Sequence, residues 1–468
     1  MVFSSTVFLF LFFPLVLILY NLPGLKKHRK YRNVVLLFAS IFFYAWGEPL
    51  FVFLMLLSIV ITWLLGKVIG GSIGRRKKAL LVFSVIYHLG ILIIFKYLTF
   101  LSAELNRLLG RHLLDISIAL PIGISFFTFQ MMSYLFDVYY GHATVQSNIL
   151  NLGLYVSFFP QLIAGPIVRY ETIEKEIMER KETREDFQAG LKRFVFGLGK
   201  KVLIADFLAV IADNIFSLAH VGGVALVTAW IGAVAYMLQI YFDFSGYSDM
   251  AIGLGLCFGF HFKENFSQPY LAESVNDFWK RWHISLTDWF RDYVYIPLGG
   301  NRVTRNRHFF NTFLVWILTG IWHGANWTFL FWGIIYCLIQ LLEKYAYTPS
   351  RWPRFLRHFY TLLIVCLCWV IFRAQSLSDA ASYFADLLGR TCILDADSVF
   401  YAKNSIIVFL LAIICCLPLG KWLRPKTASL SMAVIREATE YLLLIFILSA
   451  TIAFSVSGGY SPFIYFNF

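Results

Sequence analysis

Charge is scarce in this 468-residue chain: Asp, Glu, Lys and Arg together make up 14% of it, where a soluble domain carries about 25%. A chain so poor in charge cannot dress the exterior of soluble domains, because domains of roughly 150–200 residues expose ample surface. Cysteine is sparse as well. The seven cysteines (257, 337, 366, 368, 392, 415 and 416) fall mostly inside apolar runs and never at a Cys-x-x-Cys spacing. That pattern points to neither a zinc site nor a disulfide framework, and leaves them as small core hydrophobes. Intrinsic disorder and collagen are excluded by the same composition, and there is no internal repeat or low-complexity segment. Met1–Thr6 holds no Lys or Arg, whereas a cleaved signal peptide opens on a basic region, so the first apolar segment is expected to be retained.

What the chain does have is apolar mass. Residues of the set Ala, Val, Ile, Leu, Met, Phe, Trp, Tyr and Cys make up 59% of it, and the reading is an all-α, polytopic integral membrane protein. The net charge of +13 would raise nucleic acid as a partner in a soluble protein. In a membrane protein, basic residues held on the cytoplasmic side give the same excess, and no nucleic acid is expected. The cluster Lys26, Lys27, Arg29, Lys30 and Arg32 then stays cytoplasmic, with the N-terminus outside, and Arg75–Lys78 shares its side. Two apolar stretches lie between these clusters, at 33–46 and 49–69, split at Glu48-Pro49. Further stretches near the roughly 20 residues needed for a crossing lie at 79–101, 119–140, 194–217, 222–242, 309–342, 359–373, 404–420 and 438–457. Residues 102–118 and 376–403 read as external. The groups Arg302/Arg305/Arg307, Arg351/Arg354/Arg357 and Lys421/Arg424/Lys426 read as cytoplasmic, and the mixed-charge tract 169–193 as a solvated or interfacial helix.

Two stretches do not fit simple crossings. Residues 151–168 are apolar but broken by Pro160, Gly165 and Pro166. Residues 262–300 mix aromatics with Lys280, Arg281, Asp288, Arg291 and Asp292, and each charge placed in hydrocarbon would cost about 2.5–3.5 kcal/mol. This segment must lie at the interface or inside the protein beside water. A helix over 276–293 puts Phe278, Trp282, Leu286, Trp289 and Tyr293 on one face. It puts Asn276, Lys280, His283 and Thr287 on a polar stripe. That pattern suits a catalytic face, and equally an interfacial amphipathic helix with snorkelling cations and an incidental histidine.

The second candidate is His323. It sits in Phe309–Leu342, 34 residues without Lys, Arg, Asp or Glu. A straight helix of that length would be roughly 51 Å long against a hydrocarbon core of about 30 Å, so the run tilts strongly or breaks near Gly320 and Gly324. An ionisable residue at that depth is either a core histidine bonded to a neighbouring helix or a functional one. A neutral imidazole could take a proton from a hydroxyl attacking an acyl donor and return it to the leaving group. A tryptophan-rich surround would keep it neutral and exclude water. From the residues alone, a transporter with broken helices also remains open.

Several strings carry a resemblance. Phe278-Trp279-Lys280-Arg281-Trp282-His283-Ile284-Ser285-Leu286, Trp289–Gly300 and Thr319-Gly320-Ile321-Trp322-His323-Gly324 resemble the signature of the membrane-bound O-acyltransferase family, in particular its branch of alginate O-acetylases. Phe158–Pro166, Tyr241–Asp249, the opening Met1–Ser5 and the closing Pro462–Phe466 match as well. The resemblance implies a single domain over 1–468 with its catalytic core at 119–345, and roughly ten to twelve transmembrane helices with re-entrant or interfacial helices around a central catalytic funnel. It implies His323 as general base and His283 as an orienting or second proton-handling residue, with Asn276, Lys280 and Asp288 as weaker supporting candidates. It further implies no permanently bound cofactor and no metal. The acyl-donor substrate would be a cytoplasmic thioester, acetyl-CoA or one on a carrier protein. The remaining implications are a polysaccharide acceptor, an extracytoplasmic esterase-like acyltransferase as partner, and a multi-pass location in the bacterial cytoplasmic membrane. Another branch with the same two histidines transfers D-alanine to teichoic acid, which is the alternative cargo.

Overall fold

A computed structural model describes residues 1–111, 116–418 and 430–457, with the backbone alone at 430–433. The closing Pro462–Phe466 string and the cluster Lys421, Arg424 and Lys426 lie outside the described residues, as do 112–115 of the linker read as external. Every regular element among the described residues is a helix. Eight helical stretches among the described residues are long and apolar enough to cross a membrane: Phe51–Gly70, Gly74–Leu109, Arg184–Gly222, Leu226–Cys257, Trp327–Tyr345, Arg354–Arg373, Ala396–Cys416 and Val434–Val456. A shorter apolar helix covers Phe8–Tyr20. The chain is thus an all-helical, multi-pass membrane protein. It divides into two compact units.

The first unit comprises Met1–Phe194, Ser248–Lys263 and Asp288–Tyr293. It holds α1 (Phe13–Tyr20), α2 (Arg29–Gly47), α3 (Phe51–Gly70), α4 (Gly74–Leu92), α5 (Leu98–Leu109), α6 (Ile124–Tyr140), α7 (Ile149–Ser157), α8 (Tyr170–Glu179) and most of α9 (Arg184–Gly199). The mixed-charge tract forms α8 because Tyr170, Ile173 and Ile177 recur at helical spacing, and those three are its buried face. The proline-broken stretch after α7 stays irregular and wholly buried from Phe158 to Val168. Its backbone is satisfied from within: Phe159 N–H donates to the Ser40 hydroxyl at 3.0 Å, and the Gln161 amide donates to Tyr155 O at 2.5 Å. Irregular backbone survives at such depth only where protein surrounds it.

The second unit comprises Val195–Tyr247, Glu264–Thr287 and Val294–Phe468. Its helices are α10 (Asp206–Gly222), most of α11 (Leu226–Cys257), α12 (Val275–Arg281), part of α13 (Ile284–Phe290), α14 (Arg305–His323), α15 (Trp327–Tyr345), α16 (Arg354–Arg373), α17 (Leu377–Leu387), α18 (Ala396–Cys416) and α19 (Leu430–Val456). Of the two expectations for the overlong apolar run, a strong tilt or a break, the break is what forms, immediately after His323, and α14 and α15 fold into a hairpin. Glycines set how close the two limbs come. A Cβ on Gly320 would stand 2.6 Å from Phe329 O, and one on Gly333 would stand 2.5 Å from Trp316 O. Only residues without a side chain permit that approach.

Candidate active site

The single helix expected over 276–293 does not form. Its place is taken by α12, a break at Trp282–His283, and α13, because His283 adopts φ +45°. That left-handed conformation is rare for a residue with a side chain and ends the helical repeat there. A neighbouring loop holds the break: Ile284 N–H donates to Asn265 O at 2.9 Å, and Ser267 N–H donates to Arg281 O at 2.9 Å. The carbonyl of His283 then accepts from Leu286 and Thr287, each at 3.1 Å, and starts α13. The aromatic residues assigned to one face are all buried nonetheless, with Phe278, Trp282, Leu286, Trp289 and Tyr293 in the core.

His283 is 1% exposed, buried in the protein and not on a solvated stripe. Its ring stands edge-on to Phe244 at 4.7 Å and lies 5.8 Å from the ring of Trp322. Its Nδ1 is 3.1 Å from Asn265 Oδ1, which also accepts from the Ser285 N–H at 3.2 Å and the Ser285 hydroxyl at 2.9 Å. A backbone N–H pointing at that atom identifies it as the amide oxygen, so Nδ1 of His283 must be the donor. The lone pair of the neutral ring therefore resides on Nε2. Burial pushes the His283 pKa down, to about 3, and keeps the ring neutral at physiological pH.

His323 terminates α14 and is 2% exposed. Aromatic rings enclose it: Trp322 at 4.9 Å, Phe372 at 4.9 Å, Trp332 at 5.1 Å and Phe329 at 6.4 Å. The ring faces packed protein, not lipid. Trp322 touches both imidazoles. Phe329 and Phe372 also line a cavity of about 610 Å³, whose other walls include Tyr236, Gln239, Asn326 and Arg373. Arg373 is held over the rings of Phe216 and Tyr236 at 4.6 and 4.8 Å and bonds Asp213 at 2.5 Å. The cavity's rim includes Gln375 and Asp379, at the start of the tract read as external. Two aromatic rings thus separate the enclosed imidazole from an open chamber.

Of the three weaker candidates, Asn276 and Lys280 lie one turn apart on α12, and Asp288 belongs to the first unit. Asn276 is bound at the start of α12 by the buried Glu343, whose carboxylate accepts from Val275 N–H at 2.7 Å, Asn276 N–H at 2.9 Å and the Asn276 amide at 2.7 Å. A carboxylate there favours the helix N-terminus electrostatically. Lys280 is exposed on α12. Asp288 pairs with Arg291 at 2.6 Å. The sequence reading missed Asn265 and Glu343, which order the segment that carries His283. It also missed an ionic trio at membrane depth, in which Lys201 Nζ lies 2.6 Å from both Asp206 and Asp243. A charge inside an apolar run was the available signal for Asp243. Nothing local marks Asn265, which lies 18 residues from His283.

A multi-pass helical protein with two deeply enclosed imidazoles is the kind of scaffold that handles protons away from bulk water. Over residues 38–378 the chain matches the model of the membrane-bound O-acyltransferase family. It is 44% identical over 389 residues to a Pseudomonas aeruginosa protein named probable alginate O-acetylase AlgI, covering 81% of this chain and 73% of that one. A Pseudomonas putida protein of the same name is 38% identical over an alignment spanning 100% of both chains. The peptidoglycan O-acetyltransferase of Helicobacter pylori is 34% identical, over 83% of this chain and 80% of that one. The chain belongs to the membrane-bound O-acyltransferase family and is an O-acyltransferase.

Proposed function

We propose that this protein takes an acetyl group from a cytoplasmic thioester, acetyl-CoA, and relays it across the bacterial cytoplasmic membrane for O-acetylation of an extracellular or cell-wall polysaccharide. An esterase-like acyltransferase on the outer side completes the transfer. The observation that carries this reading is the enclosure of His323 at the break of the α14–α15 hairpin, two rings away from a chamber large enough to admit a sugar-sized acceptor.

His323 acts as general base. It removes the proton from an acceptor hydroxyl as that oxygen attacks the thioester carbonyl. The new C–O bond forms, the C–S bond breaks, and the proton passes to the departing sulfur. The aromatic shell keeps the imidazole neutral and keeps water from competing for the acyl group. His283, with its Nδ1–H held by Asn265, presents Nε2 as a fixed acceptor and orients or shuttles a proton nearby. Asn276, Lys280 and Asp288 support the segment around α12 and α13, within a catalytic core spanning 119–345. The names of the relatives, which speak of acetyl transfer to alginate and peptidoglycan, support acetate as the cargo.

Two assays test the reading. Mild base hydrolysis of cell envelope from expressing and non-expressing cells should release extra acetate in the former, and extra D-alanine would instead assign the cargo to the teichoic-acid branch. Proteoliposomes of the purified protein should consume acetyl-CoA in proportion to protein, and a bare transporter would leave the thioester intact.

A further inference from the structure

A second cavity, of about 350 Å³, lies in the first unit among Tyr20, Asn21, Arg32, Glu182, Thr183, Arg184 and Gln188, with Phe187 and Cys257 as its apolar wall. Its level is set by the spans around it. Tyr20 ends the apolar helix Phe8–Tyr20, Arg184 opens the candidate span Arg184–Gly222, and Cys257 closes Leu226–Cys257. Three apolar helices therefore end or begin at this one place, as they would at the depth of lipid headgroups.

The charge at the cavity is net positive, although Glu182 lines it and Glu185 and Asp186 stand in the first turn of α9 nearby. Glu182 is a lone carboxylate shared by Arg29, by Arg32 at 2.5 Å and by Arg180 at 3.5 Å. Arg180 is fully buried, and its Nε donates to Phe258 O at 3.0 Å. Three guanidinium groups around one carboxylate leave about two positive charges uncompensated in a largely buried cluster. Arg32 stacks over the Tyr20 ring at 4.7 Å, and its buried Nε has no hydrogen-bond partner among the described residues. Exposed Arg184 on the cavity wall, exposed Lys26 and Lys27 on the adjoining loop and exposed Lys30 in the first turn of α2 extend the positive field. Asn21, Thr183 and Gln188 add neutral donors around the same opening.

We propose that this cavity binds the phosphate of an anionic phospholipid headgroup, with Arg32 and Arg184 as the phosphate ligands and Phe187 and Cys257 against the glycerol. Basic pockets between membrane helices on the cytoplasmic side suit such headgroups, and each basic contact contributes about fivefold in affinity. The volume suits a phosphoglycerol group.

The test uses the full-length protein in nanodiscs of phosphatidylcholine with and without phosphatidylglycerol, followed by native mass spectrometry of retained lipid. The wild type should retain phosphatidylglycerol in preference to phosphatidylcholine. Arg32→Gln and Arg184→Gln should each lower that preference about fivefold without changing phosphatidylcholine retention. Arg32→Gln also disturbs Glu182; Arg184→Gln leaves the Glu182 cluster intact and carries the test if the first variant fails to fold. Unchanged preference in Arg184→Gln would overturn the proposal. Displacement of bound phosphatidylglycerol by inorganic phosphate or by coenzyme A would also overturn it, because the site would then serve a soluble phosphate.

Discussion

Asn265 dictates which nitrogen of His283 carries the proton. The amide oxygen, 3.1 Å from Nδ1, is already committed as acceptor to the backbone and hydroxyl of Ser285. A ring so held cannot exchange tautomers without losing that bond. The same loop supplies the main-chain carbonyl, 2.9 Å from Ile284 N, that stabilises the unusual backbone of His283. Under the proposed mechanism Asn265 is a positioning residue: it would act on the reaction through His283.

Replacing Asn265 separates the two contributions. Asn265→Leu should lower acyl transfer by about tenfold to a hundredfold, less than the roughly hundredfold to ten-thousandfold of a group that itself transfers the proton. Asn265→Asp keeps an acceptor in place but adds a negative charge that favours imidazolium, so the acid limb of its pH–rate profile should move to higher pH. A purely structural role would reduce folded protein and leave the profile where it was.

The hairpin that delivers His323 depends on absent side chains. Gly333→Ala would put a methyl group 2.5 Å from Trp316 O, a backbone atom that can yield only by separating α14 from α15. The expected cost is about 1–3 kcal/mol, seen as a lower melting temperature in detergent. Gly90→Ala, where nothing lies within 4 Å of the added carbon, serves as the control and should melt as the wild type does.

These particulars mark where the sequence was readable. The 34-residue run without charge exceeds the membrane thickness, so that a strong tilt or a break near its glycines was expected, and the break is what forms. Some span positions were legible for the same reason: 49–69 corresponds to Phe51–Gly70 and 359–373 falls inside Arg354–Arg373, whereas 33–46 and 119–140 do not recur among the candidate spans of the described residues. Over 276–293 the helical period was present, yet it could not reveal a left-handed residue inside it. That conformation is imposed from Asn265 and Ser267, in a loop distant in sequence, and both short helices bury their apolar residues whether or not they are collinear. Periodicity records which residues are buried; a kink forced by a long-range contact leaves no trace in it.

Glu182 makes stability sensitive to acid. Burial alone would raise its pKa, but hydrogen bonds from Arg29 and Tyr20 and the charges of Arg29 and Arg32 outweigh that and hold it down to about 2. A carboxyl depressed in the folded state binds its proton more readily in the unfolded state. Its contribution is therefore complete above the ordinary value of about 4.3 and is lost as pH falls from there through about 2. The melting-temperature gap between wild type and Glu182→Gln should be wide at pH 7 and close between pH 4 and pH 2. A gap independent of pH would show that the carboxylate charge contributes nothing.

The central claim is that the His323 imidazole moves the proton during acyl transfer. The direct measurement is polysaccharide acetylation by His323→Ala, with expression and melting temperature recorded alongside. The account predicts a fall of about a hundredfold or more with folded protein at wild-type levels. Full acetylation by His323→Ala at normal expression would contradict it.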